Sequence, residues 1–564
     1  MTSATHDPIF GSLNEEQRQA VLTTEGPVLI LAGAGSGKTK ALTHRIAHLI
    51  GLGVQPWEIL AVTFTNKAAK EMKERIGKML HITEGDSLET SVSSVGAGAH
   101  NARLPTMGTF HSICVRILRR DIERLGRDRS FVIYDGDDQE KLMKLTLKEM
   151  GIEESELKPR AALSFITKFK SEALNSAQAR IQATSDRMFR VIQVYDLYQK
   201  KLKESNAMDF DDLMLETVRL FTECPDVLER YQNTWKYIHV DEYQDTNHVQ
   251  YLLITMLAKK FRNLCVIGDP DQSIYGFRGA DIRNILEFEK EYKDAVRIKL
   301  ERNYRSTQPI LDAADGVIAV NPNRPEKKMW TDTKEGSKVI LNEVRDERRE
   351  AEEAINAVKK MQADGVSLNE QVILYRTHAQ SRLFEEACMR GGIPYRILGG
   401  IKFYGRKEVK DVLGYLYAIL NPYDTVSMLR IINIPSRKIG DTTLGKIQAF
   451  ASINSLTLWD SLQRVGDMPD LDAGVKARIM SFTSLIQKYR QQAANTVASE
   501  LASNLINEIK LEAWLNEGTE EGEDRWHNVQ ELLTVMHKYD TLTAQESLMS
   551  FLEEVALVSE VDKL

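Results

Sequence analysis

The stretch PVLILAGAGSGKT, residues 27–39, sets an apolar run of strand length directly against a glycine-rich turn that closes on Lys38 and Thr39. So short and continuous an apolar run suits a strand buried on both faces, as in a parallel sheet covered by helices. The turn after it, Gly33, Ala34, Gly35, Ser36 and Gly37, can wrap phosphate oxygens with its backbone N–H groups, because glycine accepts backbone angles that other residues avoid. Lys38 would reach the β- and γ-phosphates, and the Thr39 hydroxyl would ligate Mg²⁺. Ala32 stands where the strict pattern has glycine. A tight turn without a ligand is the competing reading. The strand before it, the Lys-Thr pair and the helical pattern after it favour phosphate.

The same grammar recurs. ILAVTFT (59–65), YIHVDE (237–242) and LCVIGDP (264–270) are short apolar runs that each end in a polar motif, with helical patterns between them. They predict a doubly wound α/β domain. Between about 115 and 205 the strand signal stops, and charged helical patterns such as DRMFRVIQVYDLYQKKLKE predict an inserted helical subdomain. VRIKLERN (296–303), KVILNEV (338–344) and VILYRT (372–377) predict a second α/β set, and from Tyr404 helices dominate. The expected division is 1–114 and 206–292 for the first α/β domain, 115–205 for its insertion, 293–400 for the second α/β domain and 401–564 for a second helical insertion. Residues 83–107, rich in Ser, Gly and Thr, are expected to form a mobile surface loop.

Composition excludes some classes. With 564 residues, 42% hydrophobic and 27% charged, the chain is expected to fold into several domains. No apolar run reaches membrane-spanning length and the N-terminus has no signal-like core, so a cytoplasmic location and no membrane are expected. Four scattered cysteines, none in a CxxC pair, argue against a disulfide frame or a zinc site. The net charge of −7 argues mildly against nucleic acid, but local patches decide that more than totals.

HVDEYQDT (239–246) places Asp241 and Glu242 at a strand end. Asp241 can hold Mg²⁺ and Glu242 can position or deprotonate an attacking water. Phosphoryl transfer also needs positive charge beyond the γ-phosphate, and ERNYRST (301–307) offers Arg305, with Tyr304 beside it as a stacking surface for a base. The stretch GDPDQSIYGFRGA (268–280) carries Gln272 and, within six residues of it, Tyr275, Phe277 and Arg278. Those residue types grip unstacked bases and a sugar–phosphate chain. Phe64 could stack in the same way, but it alternates within a strand run and core burial competes.

Together LNEEQRQAV, AGAGSGKT, AVTFTNKAAKEMKERI, GTFHS, VDEYQDTN, GDPDQSIYGFRGA, ERNYRST, LYRTHAQSRLFEEA, GIPYRILGG and FYGRKEVKDVLGYL occur in order across most of the chain. The chain resembles the UvrD/Rep/PcrA group of superfamily 1 DNA helicases. The resemblance implies two RecA-like P-loop motor domains, each with a mainly helical insertion, using ATP and Mg²⁺ to step 3′→5′ on single-stranded DNA and open duplex junctions. It implies that Gln17 reads the adenine edge and Tyr304 stacks on it. Lys38 and Thr39 bind phosphate and Mg²⁺, Asp241 is the metal acid and Glu242 the catalytic base. Gln272 and Arg305 act on the γ-phosphate. Phe64, His111, Tyr275, Phe277 and Arg278 line the single-strand path. The loop 268–280 would then couple the γ-phosphate to the bases.

The sequence also departs from that pattern. Lys40 replaces an arginine after the phosphate loop, and Lys438 in PSRKIGDTT (435–443) replaces the first glycine of a Gly-Ile-Gly turn. Two later family motifs, of the T-x-H-x-A-K-G-L-E-F and Y-V-x-x-T-R-A types, are absent. The expectation drawn from this is a chain truncated before the second motor closes, with impaired turnover. The alternatives to an intact helicase are a catalytically incomplete DNA-binding module and the motor half of a helicase–nuclease. DNA repair or replication proteins are the expected partners.

Overall fold

The computed structural model describes residues 9–80, 104–321, 324, 327–397, 403–516 and 518–561. Eight strands occur among them: β1 (Val28–Ala32), β2 (Ile59–Thr63), β3 (Thr106–Thr109), β4 (Val132–Tyr134), β5 (Ala207–Asp209), β6 (Tyr237–Val240), β7 (Asn263–Gly268) and β8 (Val296–Leu300). Six form one parallel sheet in the order β3-β2-β6-β7-β1-β8. In β1, Leu29 and Leu31 enter one core with Leu60, Ile117, Leu213 and Leu253, while Val28, Ile30 and Ala32 enter another with Leu42, Ile46 and Cys265. Alternate side chains of a strand point to opposite faces, so a strand with a core on each side must be apolar throughout.

The strand order decides where chemistry can sit. β1 is followed in sequence by β2, yet β7 and β6 lie between them in the sheet. The carboxyl ends of β6, β7 and β1 therefore stand side by side, and the three polar motifs follow those three strands. A crevice at such a switch in strand order is where open α/β sheets take ligands.

Several expectations need correction. Val296–Leu300, expected to open the second sheet, pairs in parallel with β1, Val28 opposite Val296 through Ala32 opposite Leu300. Its Ile298 and Leu300 are buried while Val296 is exposed, the pattern of an edge strand laid on an existing core. Residues 338–344 and 372–377 form no strand among the described residues, and Ile340, Leu341 and Leu374 are exposed. A strand needs a neighbour to take its backbone groups, and no described segment pairs with these two. The helices Glu347–Ala363 and Ser381–Gly391 nearby share a small core of Ala351, Ile355, Ala387 and Cys388.

The boundary expected at 114/115 cuts the helix Phe110–Asp121. Its charged face hid an apolar stripe: Ile113, Ile117 and Leu118 belong to the sheet's own core. The insertion proper lies between β4 and β5, which pair in parallel and close its base. Of the segment 83–107, residues 104–107 are described: Leu104 is buried and β3 begins at Thr106. Residues 83–103 lie outside the described residues. From Lys407 to Val561 the described chain is helical around one apolar core. That body is tied to the base of the insertion, where Tyr134 donates to Asp424 Oδ1 at 2.6 Å and Asn421 Nδ2 donates to the Ser205 carbonyl at 2.8 Å. Lys438 adopts φ +56°, so the lysine takes the left-handed conformation a glycine would accept freely. No described helix is long and apolar enough to cross a membrane.

Candidate active site and nucleic-acid interface

The turn after β1 delivers Gly37 as the residue before the helix Lys38–Gly51. Gly35 has φ +68°, and a Cβ there would lie 2.6 Å from Asn303 Nδ2, so the close approach of the 301–307 segment depends on glycine. Asn303 Nδ2 donates to the Ala34 carbonyl at 2.6 Å, and the Tyr304 N–H donates to the Gly35 carbonyl at 2.9 Å. Asn303 Oδ1 accepts the N–H groups of Arg305 and Ser306 at 2.8 and 2.7 Å. Arg305 is thereby held beside the phosphate loop with its side chain exposed. Tyr304 is also exposed, with the Arg302 guanidinium 5.0 Å from its ring centre.

Lys38 and Glu242 meet: Nζ lies 3.0 Å from Oε1 and 2.8 Å from Oε2. Glu242 has φ +49°, an uncommon conformation for a residue with a side chain, held here at the carboxyl end of β6. Asp241 is buried beside it and accepts the Glu242 N–H at 3.0 Å. Burial, and next the charge of Glu242, push the Asp241 carboxyl up to about 6 against the pull of Lys38. Asp245 is pushed up to about 6 by burial and by Glu242. Three acids share one lysine, so the pocket is short of positive charge, and Thr39 with Asp241 fits a hard divalent cation.

Gln17 is placed at the loop, but its amide is engaged within the protein. Nε2 donates to the Ser36 carbonyl at 2.9 Å, and Oε1 accepts the Asn14 N–H at 3.3 Å in a capping box. Lys40 lies one turn into the site helix and donates to the Ser12 carbonyl at 2.5 Å. Gln272 Nε2 donates to Asp269 Oδ2 at 2.6 Å.

The aromatic residues form a ladder. Phe64 lies one residue beyond β2, is half-buried and stacks on Tyr275 with ring centres 5.2 Å apart, so the competing reading of a core residue does not hold. Tyr275 is 6.2 Å from Phe277, which is 69% exposed, and the Arg278 guanidinium lies within 6 Å of both rings. His111 packs edge-on against Phe210 at 5.4 Å. Burial lowers its pKa to about 4, so it is neutral near pH 7 and brings no charge to a phosphate.

Sequence reasoning missed Asn303 and Gln244. Both lie inside motifs that were singled out, ERNYRST and VDEYQDT, but a neutral amide announces no chemistry until its partners are seen.

Residues 13–293 match the UvrD/REP helicase N-terminal domain, and residues 298–563 match the UvrD-like helicase C-terminal domain. ATP-dependent DNA helicase PcrA of Staphylococcus aureus strain COL is 44% identical over 559 residues, 98% of this chain and 74% of the relative. The protein of that name from Staphylococcus epidermidis is 44% identical over 556 residues, with the same coverage. The C-terminal match reaches through 563, so the expectation of a truncated second motor and an impaired enzyme finds no support. The phosphate loop, the acid pair and the matches at both domains have one reading: the chain belongs to the UvrD/REP family of DNA helicases.

Proposed function

We propose that the chain hydrolyses ATP to move 3′→5′ along single-stranded DNA and to open duplex at single-strand junctions, in DNA repair or replication. The observation that supports this most is the loop 268–280. One end of it follows β7 and carries Gln272 bonded to Asp269, and the other presents Tyr275, Phe277 and Arg278 in the ladder with Phe64. Base stacking on such a ladder tolerates any sequence, as a translocating motor requires.

In this reading Thr39 and Asp241 would hold Mg²⁺, which when bound neutralises charge on the β- and γ-phosphate oxygens. Lys38 leaves Glu242 for the phosphates, and the freed carboxylate takes the proton of the attacking water. Arg305 stabilises charge on the transferred group and Gln272 reports its presence. Gln17 exchanges its bond to Ser36 for the adenine edge, and Tyr304 covers the ring. The four buried, unpaired cysteines fit a reducing compartment, the cytoplasm.

The test is ATP turnover with and without single-stranded DNA, alongside unwinding of duplexes carrying a 3′ or a 5′ tail. Turnover stimulated by DNA and unwinding of the 3′-tailed duplex are expected. Stable DNA binding without turnover would identify a DNA-binding module instead. Phe277→Ala is expected to weaken single-strand binding by roughly 1–3 kcal/mol per lost stack and to depress unwinding. A loss of DNA-free turnover with unaltered DNA affinity would place Phe277 in the core.

A further inference from the structure

Gln244 is 1% exposed and sits between the candidate base and the root of the loop 268–280. Its Nε2 donates to Glu242 Oε2 at 2.9 Å and to Asp245 Oδ2 at 3.1 Å. Its Oε1 accepts the Asp269 N–H at 2.9 Å, and its main-chain carbonyl accepts from Ser273 Oγ at 3.2 Å. The amide approaches so closely because residue 268 is glycine: a Cβ there would lie 2.4 Å from Gln244 Oε1. From Asp269 the connections continue, since its carboxylate accepts from Gln272 and pairs with Lys327.

We infer that Gln244 is a positioning residue that registers Glu242 against the DNA-facing loop. An amide is a donor at one end and an acceptor at the other, so one side chain can grip a carboxylate and a backbone N–H at once. A shift of the loop at Asp269 is carried by Gln244 to the carboxylate of Glu242. DNA seated on Tyr275 and Phe277 thereby sets the geometry of the base. This rests on the helicase reading above. A glutamine that merely satisfies buried neighbours would support the fold without linking the two sites.

Gln244→Met keeps the volume and loses all three side-chain contacts. Gln244→Glu keeps the acceptor toward Asp269 and sets an oxygen against Glu242 and Asp245. In the full chain, the ratio of DNA-stimulated to DNA-free turnover is expected to fall about tenfold or more, with KM for ATP and Kd for an oligo-dT strand within about threefold of wild type. Thermal melting establishes that each variant is folded, and Gln244→Glu carries the same readout if Gln244→Met melts. An unchanged ratio in a folded variant overturns the inference. So does an equal fall of basal and stimulated rates, which would mean that Gln244 serves Glu242 alone. Wild-type protein without any DNA stimulation would overturn the helicase reading itself, and this inference with it.

Discussion

Glu242→Gln is expected to cut ATP turnover by about 10²–10⁴-fold, the range a positioned general base contributes, while ATP binds more tightly than to the wild type. The second half of that expectation comes from the geometry. Glu242 holds both carboxylate oxygens within 3.0 Å of Lys38 Nζ, so nucleotide must compete with an ion pair for the lysine. An amide in place of the carboxylate removes the competing charge and leaves Lys38 to the phosphates. Lys38→Ala, by contrast, is expected to lose binding and turnover together, because it deletes the charge the phosphates meet. Titration with a fluorescent ATP analogue, with turnover measured on the same samples, separates the two variants. Weaker nucleotide binding by Glu242→Gln would show that the Lys38–Glu242 pair does not oppose ligand. Turnover at the wild-type rate would remove Glu242 as the base.

The parts of this site that were legible in sequence share a physical origin. A strand buried on both faces must be apolar along its length, so β1, β2, β6 and β7 read as runs. A parallel strand also delivers its next residues to the crevice, so the motif after each run could be assigned chemistry before any contact was known. What could not be read was choice of partner. VRIKL has the right pattern for any sheet, and only the assembled structure shows it beside β1 rather than opening a second sheet. The helix Phe110–Asp121 carries Arg116, Arg119 and Arg120, and those charges masked the stripe that seats it in the first core. Phe64 was undecided because one residue separates a strand interior from the crevice, and it falls just beyond β2. Gln17 and Gln244 were harder still: an amide's role is set by which two groups it joins, and one end of each is held by a residue far along the chain, Ser36 for Gln17 and Asp269 for Gln244.

Lys170→Met is expected to destabilise the protein by about 3–5 kcal/mol, the cost of leaving buried charge unpaired. Lys170 is fully buried at the end of the helix Pro159–Ser171, with Nζ 2.6 Å from Asp209 Oδ2 and 2.8 Å from Asp212 Oδ1. Asp209 closes β5 and Asp212 lies in the first turn of the helix that follows, so this ion cluster fastens the insertion where the chain re-enters the motor. Tyr198 donates to Asp209 and Gln199 to Asp212, which leaves the cluster fully partnered. Burial alone would lower the Lys170 pKa, but Asp209 and then Asp212 hold it above its ordinary value. Burial and then Asp212 raise the Asp209 carboxyl, with Lys170 opposing them. Without the lysine that rise grows. A carboxyl raised in the folded state binds protons that the unfolded chain, with carboxylates titrating near about 4, has already lost, so stability falls as pH rises above that value. The melting-temperature gap between wild type and Lys170→Met is therefore expected to be wider at pH 8 than at pH 5. Adding Asp209→Asn and Asp212→Asn to Lys170→Met should narrow it again at pH 8, because no uncompensated charge is then buried. The neighbouring Ser171 gives the cluster a consequence beyond stability: its Oγ lies 2.8 Å from where a Cβ of Gly279 would stand, at the end of the loop 268–280 proposed to face DNA. Loosening Lys170 should thus also lower DNA-stimulated turnover at temperatures where the variant is still folded. A gap that does not change with pH would mean that the two aspartates are not held as ions by Lys170.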